Sequence, residues 1–533
     1  MLYIYYELNH AAMAPLRASA QLMGASLRNP LNPYSRTKMG KSLAAGVSLF
    51  ERATRRYGKP EWEIDSVEVD GEEVAVSEEV VWEKPFCRLV NFQRDLDKSR
   101  TPDPKLLIVA PMSGHYATLL RGTVETMSQT HDVYVTDWVD ARMVPMSAGK
   151  FGLDDYIDYV IEMIKEVGPN TNVMAVCQPS VPVLAAVSLM EADNDPLSPA
   201  SITLMGGPID TRINPTAVNR LAEERGTDWF AKNVIVKVPF PHPGVMRSVY
   251  PGFLQLTGFM SMNLDRHVNA HKDFFFHLVE GDGDSADKHE DFYDEYMAVM
   301  DLDAQFYLET VDAVFVKHAL PKGELVYRGR KIDPGTIRKV ALMTVEGEND
   351  DISGVGQTEA AQTLCKNLPD DMRVHHLQKQ VGHYGVFNGR RFRSEIAPAI
   401  AKFTHAAVER RQGKSSPPKA TSKNSANGAK HTLVAATPPS KARSPKVTSP
   451  KKPLQKTASG PAAKSAAAPD DLKRIRGIGP GLEKKLNDLK ISTFADIAKW
   501  TPEDVQSIDG KLAFKGRITR EKWIEQAKTL IDA

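Results

Sequence analysis

Apolar residues along the middle of the chain fall into short runs bounded by turn residues. KLLIVAP (105–111), DVYVTDW (132–138), NVMAVC (172–177), SITLMG (201–206) and VALMTVEG (340–347) each have this form, and VHHLQ (374–378) is a weaker sixth. Continuous apolar runs of this length fit parallel strands covered on both faces. Stretches with helical spacing lie between them, as at 153–167 and 182–191. The alternation predicts a doubly wound α/β sheet over residues 85–411. Ahead of it, Leu8, Ala11, Ala12 and Leu16 recur at helical spacing from Tyr3 to about Met23, with Pro15 as a kink. Residues 1–84 are therefore read as an N-terminal helical extension. Between about 212 and 335 the alternation gives way to helical, aromatic-rich segments such as VYPGF (249–253), FFFH (274–277) and YDEYM (293–297). An insertion of this length between sheet strands predicts a helical cap over the reactive end of the sheet.

Composition narrows the class. The chain has 533 residues and is 42% hydrophobic, enough for a large core and too apolar for a wholly disordered chain. Three cysteines cannot build a disulfide framework and suggest a reducing compartment. No apolar run reaches the roughly 18 residues of a membrane span, and MLYIYYELNH lacks the form of a secretory signal. A soluble, cytoplasmic protein is expected. The net charge of +1 hides an asymmetry: 412–469 carries +11 and 470–533 carries +2, which leaves −12 for 1–411. Residues 412–469, with nine prolines and no apolar face, read as a disordered Lys/Pro/Ala/Ser-rich linker. From 470 to 533, Leu472, Ile475, Ile478, Leu482 and Leu486 give a helical face broken at Gly477-Ile478-Gly479-Pro480-Gly481. That pattern predicts helix, glycine turn, helix in a small all-α domain.

The reactive groups of α/β sheets sit at the C-terminal ends of strands. NVMAVC-QPS-VPVLAAVSLM has the form strand, sharp turn, helix, with Cys177 at the turn. A thiol there projects above the sheet at a helix N-terminus, where its thiolate is favoured. The usual nucleophile elbow is G-x-S-x-G. Here Ala175 and Pro179 replace the glycines, and no G-x-S-x-G occurs elsewhere in the chain. The backbone N–H of Gln178 would face a developing oxyanion, and the loop after the strand at 105–111 offers a second donor at Met112 or Ser113. Ser113 and His115 are read as part of that positioning loop. VEGENDD (345–351) follows a strand and supplies Asp350, with Asp351 as the alternative acid, and VGHYGVFNG (381–389) supplies His383. The order nucleophile, acid, histidine is that of α/β-hydrolase triads. No Cys/His spacing fits a zinc site and there is no P-loop, so no metal or cofactor is expected.

At these residues the chain resembles the intracellular polyhydroxyalkanoate (polyhydroxybutyrate) depolymerase family, over about residues 1–408. The resemblance rests on YYELNHAAMAPLRASA (5–20), APMSGHYATLLRGTV (110–124), VYVTDWVDARMVP (133–145), AVCQPSVPVLAA (175–186), EGENDDISGVGQT (346–358) and GHYGVFNGRRF (382–392). It implies an α/β-hydrolase fold with Cys177, Asp350 and His383 as triad. It also implies attack on a polyester carbonyl to give an acyl-enzyme, resolved by water or by a thiol such as coenzyme A, at the surface of storage granules. The segment 472–505 separately resembles a helix-hairpin-helix module. In such a module the amides of Gly477, Gly479 and Gly481 would approach a phosphate, with Lys473, Arg474, Arg476, Lys484 and Lys485 adding charge for sequence-independent DNA binding.

Two other readings compete. One is a polyhydroxyalkanoate synthase-like acyltransferase or another thiol esterase. The other is a non-catalytic tether, in which a degenerate hydrolase body holds granules and the basic tail holds the nucleoid.

Overall fold

The computed structural model describes residues 2–413, apart from Lys98 and Asn263, and parts of 470–531. The chain separates into two compact units, Met1–Ser422 and Lys423–Ala533.

The first unit is built on nine strands: β1 (Ser66–Val69), β2 (Glu72–Lys84), β3 (Cys87–Arg94), β4 (Lys105–Val109), β5 (Asp132–Trp138), β6 (Asn172–Val176), β7 (Ser201–Met205), β8 (Ala341–Gly347) and β9 (Arg373–Gln378). Their order in the sheet is β1-β2-β3-β5-β4-β6-β7-β8-β9. From β5 to β9 all neighbours are parallel; β1, β2 and β3 join antiparallel to one another and to β5. This is the mixed sheet of the α/β-hydrolase fold. The apolar runs become its centre: β4, β6, β7 and β8 are buried along nearly their whole length, as strands covered on both faces must be.

The extension assigned to 1–84 is only partly helical. Helices α1 (Leu2–Arg28, with Pro15 inside) and α2 (Lys38–Thr54) pack on each other, but residues 66–84 form β1, a tight turn and β2. The turn between these strands is Asp70-Gly71, both at positive φ, the dipeptide that two-residue hairpins favour. The strand pattern is hidden because β2 is mostly exposed and carries Glu72, Glu73, Glu78, Glu79 and Glu83, so no apolar run marks it.

Helix α3 (Arg121–Met127) follows the β4 loop, and α4 (Leu153–Val167) lies against α5 (Ser180–Ala192). Helix α4 buries Tyr156, Val160, Met163 and Ile164 on one face, and the Asp155 carboxylate accepts the N–H of Gly152 to close its first turn. Helix α5 is buried from Ser180 through Met190.

Everything between β7 and β8 is the cap. It contains α6 (Ala217–Asn233), α7 (Gly252–Met262), α8 (Leu264–Glu280), α9 (Gly283–Met297), α10 (Ala304–Thr310) and a three-stranded ribbon of short strands. Arg247 anchors it. Its guanidinium, 3% exposed, pairs with Asp303 at 2.8 Å and donates to the carbonyls of Val144, Pro145 and Gly149 on the body. No described helix is long and apolar enough to cross a membrane.

In the second unit, Leu472, Ile475, Leu486, Phe494, Ile497, Ile508, Ile518, Trp523 and Ala527 share one small core. Helices Phe494–Ala498 and Trp523–Ile531 pack together, the first capped by Thr493 with Asp496 reaching back to the N–H of Thr493. From residue 414 onward the expected linker lies outside the described residues, as do Ile478 and Leu482.

Candidate active site

Strand β6 lies between β4 and β7, so its end opens in the middle of the sheet. The chain leaves it through Cys177 at φ +69°, a left-handed conformation that costs a non-glycine residue about 1 kcal/mol or more. Two hydrogen bonds hold it there. Cys177 N–H donates to the Met205 carbonyl at 2.7 Å, and Ser180 N–H donates to the Cys177 carbonyl at 3.1 Å. Helix α5 then starts at Ser180 with Pro179 just ahead of it at φ −56°, a value the proline ring sets by itself.

Room for this turn comes from the neighbouring strand. Gly206 and Gly207 follow β7 directly. A Cβ on Gly207 would stand 2.0 Å from Ser180 Oγ and 2.9 Å from the Cys177 carbonyl oxygen. A Cβ on Gly206, which sits at φ +56°, would come within 3.3 Å of both Asp350 Oδ2 and His383 Cε1. Glycine space absent from A-V-C-Q-P is thus present one strand away.

Asp350 lies in the loop after β8, three residues beyond Gly347, and His383 opens the turn after β9. The two meet: His383 Nδ1–H donates to Asp350 Oδ2 at 2.8 Å. The other carboxylate oxygen accepts the N–H groups of Ile352 (2.9 Å) and Ser353 (2.8 Å). Asp351 is exposed, so the carboxylate facing the imidazole is that of Asp350. Below the loop, the Glu346 carboxylate accepts from Gly356, Thr358 and Glu359 and fixes its return. Burial works against charge on His383. Even so, the Asp350 carboxylate and the Cys177 sulfur, which the imidazole also contacts, hold its pKa well above the ordinary value.

The two donor loops meet the same space. Gln178, Met112 and Ser113 line one cleft with Cys177 and His383, and no protein acceptor takes their backbone N–H groups among the described residues. The cleft has a volume of about 390 Å³. Its far walls come from the cap and are apolar: Leu221, Phe230, Phe259, Tyr307, Val311 and Phe315. His115 lines it too, but its Nε2–H donates to the Tyr296 carbonyl, and burial lowers its pKa to about 4. It is a neutral wall residue. Cys87 and Cys365 are buried away from the cleft, and burial raises both thiols, Cys365 to about 12.

Sequence reasoning missed two parts of this site. The Gly206-Gly207 pair was visible as the end of a strand, but its contact with the Cys177 turn depends on strand order. The side chain of Gln178, as distinct from its N–H, gives no signal in the sequence, because its burial without a partner depends on the packing around the turn. In the tail, Arg474 is exposed with its guanidinium 5.9 Å from the Phe494 ring centroid. Gly477, Gly479, Gly481, Arg476, Lys484 and Lys485, and the side chain of Lys473, lie outside the described residues.

Residues 206–408 match the family described as "PHB de-polymerase C-terminus", and residues 472–531 match the "RS2/RL21/YNQ2 HHH domain". The tail is 60% identical over 65 residues to large ribosomal subunit protein bL21 of Roseobacter denitrificans, covering 12% of this chain and 30% of that protein. It is 47% identical over 66 residues to small ribosomal subunit protein uS2 of Methylobacterium sp., covering 12% and 19%. The chain thus spans a third or less of the curated relatives it matches. Among solved structures, the monoacylglycerol lipase of Paleococcus ferrophilus aligns at 11% identity and a TM-score of 0.35, over 58% of this chain and 96% of that one. The monoglyceride lipase of Saccharomyces cerevisiae aligns at 11% and 0.39, over 64% and 97%. The segment 206–408, which contains Asp350 and His383, is thus a PHB depolymerase C-terminal segment, and 472–531 is an HHH domain of the RS2/RL21 type.

Proposed function

We propose that the first unit hydrolyses the ester bonds of a poly(3-hydroxyalkanoate) polyester through Cys177, His383 and Asp350. The observation that carries the reading is the juxtaposition at the cleft floor. A cysteine at positive φ on a strand–helix turn touches an imidazole whose other nitrogen is held by a buried carboxylate at 2.8 Å.

The steps follow from the positions. His383 takes the thiol proton, and Asp350 fixes the ring and stabilises its charge. The Cys177 sulfur attacks the ester carbonyl carbon. The oxyanion forms against the N–H groups of Gln178 and the Met112–Ser113 loop, donors that need no rearrangement. As the carbonyl reforms, the C–O bond breaks and the alkoxide takes the proton from His383. Water then gives its proton to His383, attacks the thioester and releases the carboxylic acid, and the proton returns to sulfur. The apolar cap walls suit an aliphatic chain with no charge along it.

The test is incubation of the full chain with amorphous poly(3-hydroxybutyrate) granules. Release of 3-hydroxybutyrate or its oligomers is expected, with loss of at least 10³-fold in Cys177→Ala. No release above the Cys177→Ala background refutes the reading. Added coenzyme A separates the acceptors, since 3-hydroxybutyryl-CoA appears only if a thiol resolves the acyl-enzyme.

For the tail we propose binding to nucleic acid, supported by its likeness to segments of ribosomal proteins and by the +11 stretch ahead of it. Titrating residues 412–533 within the full chain against duplex DNA and against RNA over a salt series tests this. Binding that weakens steeply with salt is expected, and no salt-sensitive binding to either refutes it.

A further inference from the structure

One side chain in the cleft has no part in the hydrolytic steps. Gln178 follows Cys177, is only 8% exposed and lines the cleft beside the sulfur. Both ends of its carboxamide, Oε1 and Nε2, are buried without a hydrogen-bond partner. Leaving a buried donor or acceptor unpaired costs free energy comparable to a lost hydrogen bond, so native chains rarely leave both ends of an amide empty. Ser180 Oγ nearby is also unpaired, but it faces Gly207 and does not line the cleft. Gln255 Oε1, Thr310 Oγ1 and Ser353 Oγ belong to lining residues and are unpaired too, but of these orphaned groups only the Gln178 amide stands on the residue next to Cys177.

Its position says which part of the substrate that is. The N–H of the same residue faces the oxyanion, so the carbonyl carbon attacked by Cys177 lies within a side-chain length of the carboxamide. The groups in reach are the first carbons of the acyl unit. A plain alkyl acyl chain offers nothing there to pair with an amide. A 3-hydroxyacyl unit carries an oxygen on its third carbon. As a free hydroxyl it accepts from Nε2 and donates to Oε1; as the ester oxygen of the next unit it accepts from Nε2.

We propose that the Gln178 carboxamide reads the oxygen on the third carbon of the acyl unit held by Cys177, and so makes the site selective for 3-oxygenated acyl chains over plain alkyl ones. This rests on the thiol-hydrolase reading above. Sites built to hydrogen-bond a substrate group reject the analogue lacking it far more strongly than apolar pockets reject one extra hydroxyl.

The experiment compares 4-nitrophenyl 3-hydroxybutyrate with 4-nitrophenyl butyrate, using the full chain. The expected ratio of kcat/KM is at least tenfold in favour of the hydroxy ester. Gln178→Met, of similar size but without the amide, is expected to lower that ratio at least tenfold. Gln178→Glu keeps the shape and loses the donor, and covers the case in which the Met variant does not fold. Any disturbance of the oxyanion N–H acts on both esters and cancels in the ratio. A wild-type ratio near one overturns the proposal, as does a folded variant with the wild-type ratio; the amide would then be satisfied by water alone. If wild type cleaves neither ester faster than Cys177→Ala, the hydrolase reading itself has failed. Cleavage of both esters without discrimination would sink only the role of Gln178.

Discussion

Replacing Gly207 by alanine should disable the site without touching any reacting group. The new methyl would lie 2.0 Å from Ser180 Oγ, 2.3 Å from Ser180 Cβ and 2.9 Å from the Cys177 carbonyl oxygen, all closer than real Cβ contacts. None of these neighbours is the far end of a flexible side chain. Ser180 is buried in the first turn of α5, and the carbonyl belongs to the strained residue itself. The strand end and the helix start must therefore separate. Overpacking of this kind costs about 1–3 kcal/mol. If Cys177 is the nucleophile proposed above, a displacement of about 1 Å there lowers turnover on the order of 10²-fold. The collision names its own rescue. Ser180→Gly removes the two nearest atoms and leaves the carbonyl oxygen at 2.9 Å as the next, and the hydroxyl it deletes has no partner to lose. The double variant should recover at least tenfold in kcat over Gly207→Ala, with a coupling of about 1–2 kcal/mol in urea midpoints. Depolymerisation rates and urea unfolding on the four corners of the cycle decide it. A Gly207→Ala enzyme within twofold of wild type, or a double variant no better than the single, would refute the steric account.

Three further outcomes follow from other groups of the first unit. His383 is held charged above the ordinary imidazole range against the cost of burial, by Asp350 first and the Cys177 sulfur next, so the alkaline limb of kcat/KM should fall where that raised pKa is passed and the leaving alkoxide loses its acid. Asp350→Asn should move this limb to lower pH as well as reduce the plateau, and a pH–rate profile with an unmoved limb would contradict the ion pair. Arg247→Met should destabilise the first unit by about 3–5 kcal/mol, because it strands the buried Asp303 carboxylate and three body carbonyls, and calorimetry showing less than 1 kcal/mol would remove Arg247 as the anchor of the cap. His131 is buried with its pKa lowered to about 3, mainly by desolvation. Above about pH 6.5 it is neutral folded or unfolded; below that the unfolded chain takes the proton first, so stability should fall as pH drops from about 6.5, by on the order of 3 kcal/mol at pH 4. His131→Gln should flatten that slope in urea titrations at successive pH values, and parallel slopes would refute it.

The parts of the fold that the sequence predicts well are those in which one strand carries its own evidence. β4, β6, β7 and β8 are buried along nearly their whole length, so each is a mainly apolar run and could be read alone. β2 is a mostly exposed strand with five glutamates, and only the Asp70-Gly71 turn announces it; without an apolar run, the stretch after α2 reads as part of a helical extension. The same division runs through the site. Cys177, Asp350 and His383 were legible because each stands at the end of a recognisable strand, in the right chain order. What the box A-V-C-Q-P lacks was not legible as a solution elsewhere, since glycine at ±2 of a nucleophile is a response to crowding by the adjacent strand end. The crowding can be relieved from either side. Where the flanking residues are Ala175 and Pro179, the residues just past the adjacent strand must lack side chains, and Gly206-Gly207 follow β7. The pairing of these positions is a matter of β6 and β7 being neighbours in the sheet, some thirty residues apart in sequence. A motif search confined to the residues around a nucleophile therefore tests only half of the steric condition. The other half is a glycine pair just past the next parallel strand, and a cysteine elbow with bulky flanks and no such pair should not be able to hold its nucleophile at positive φ.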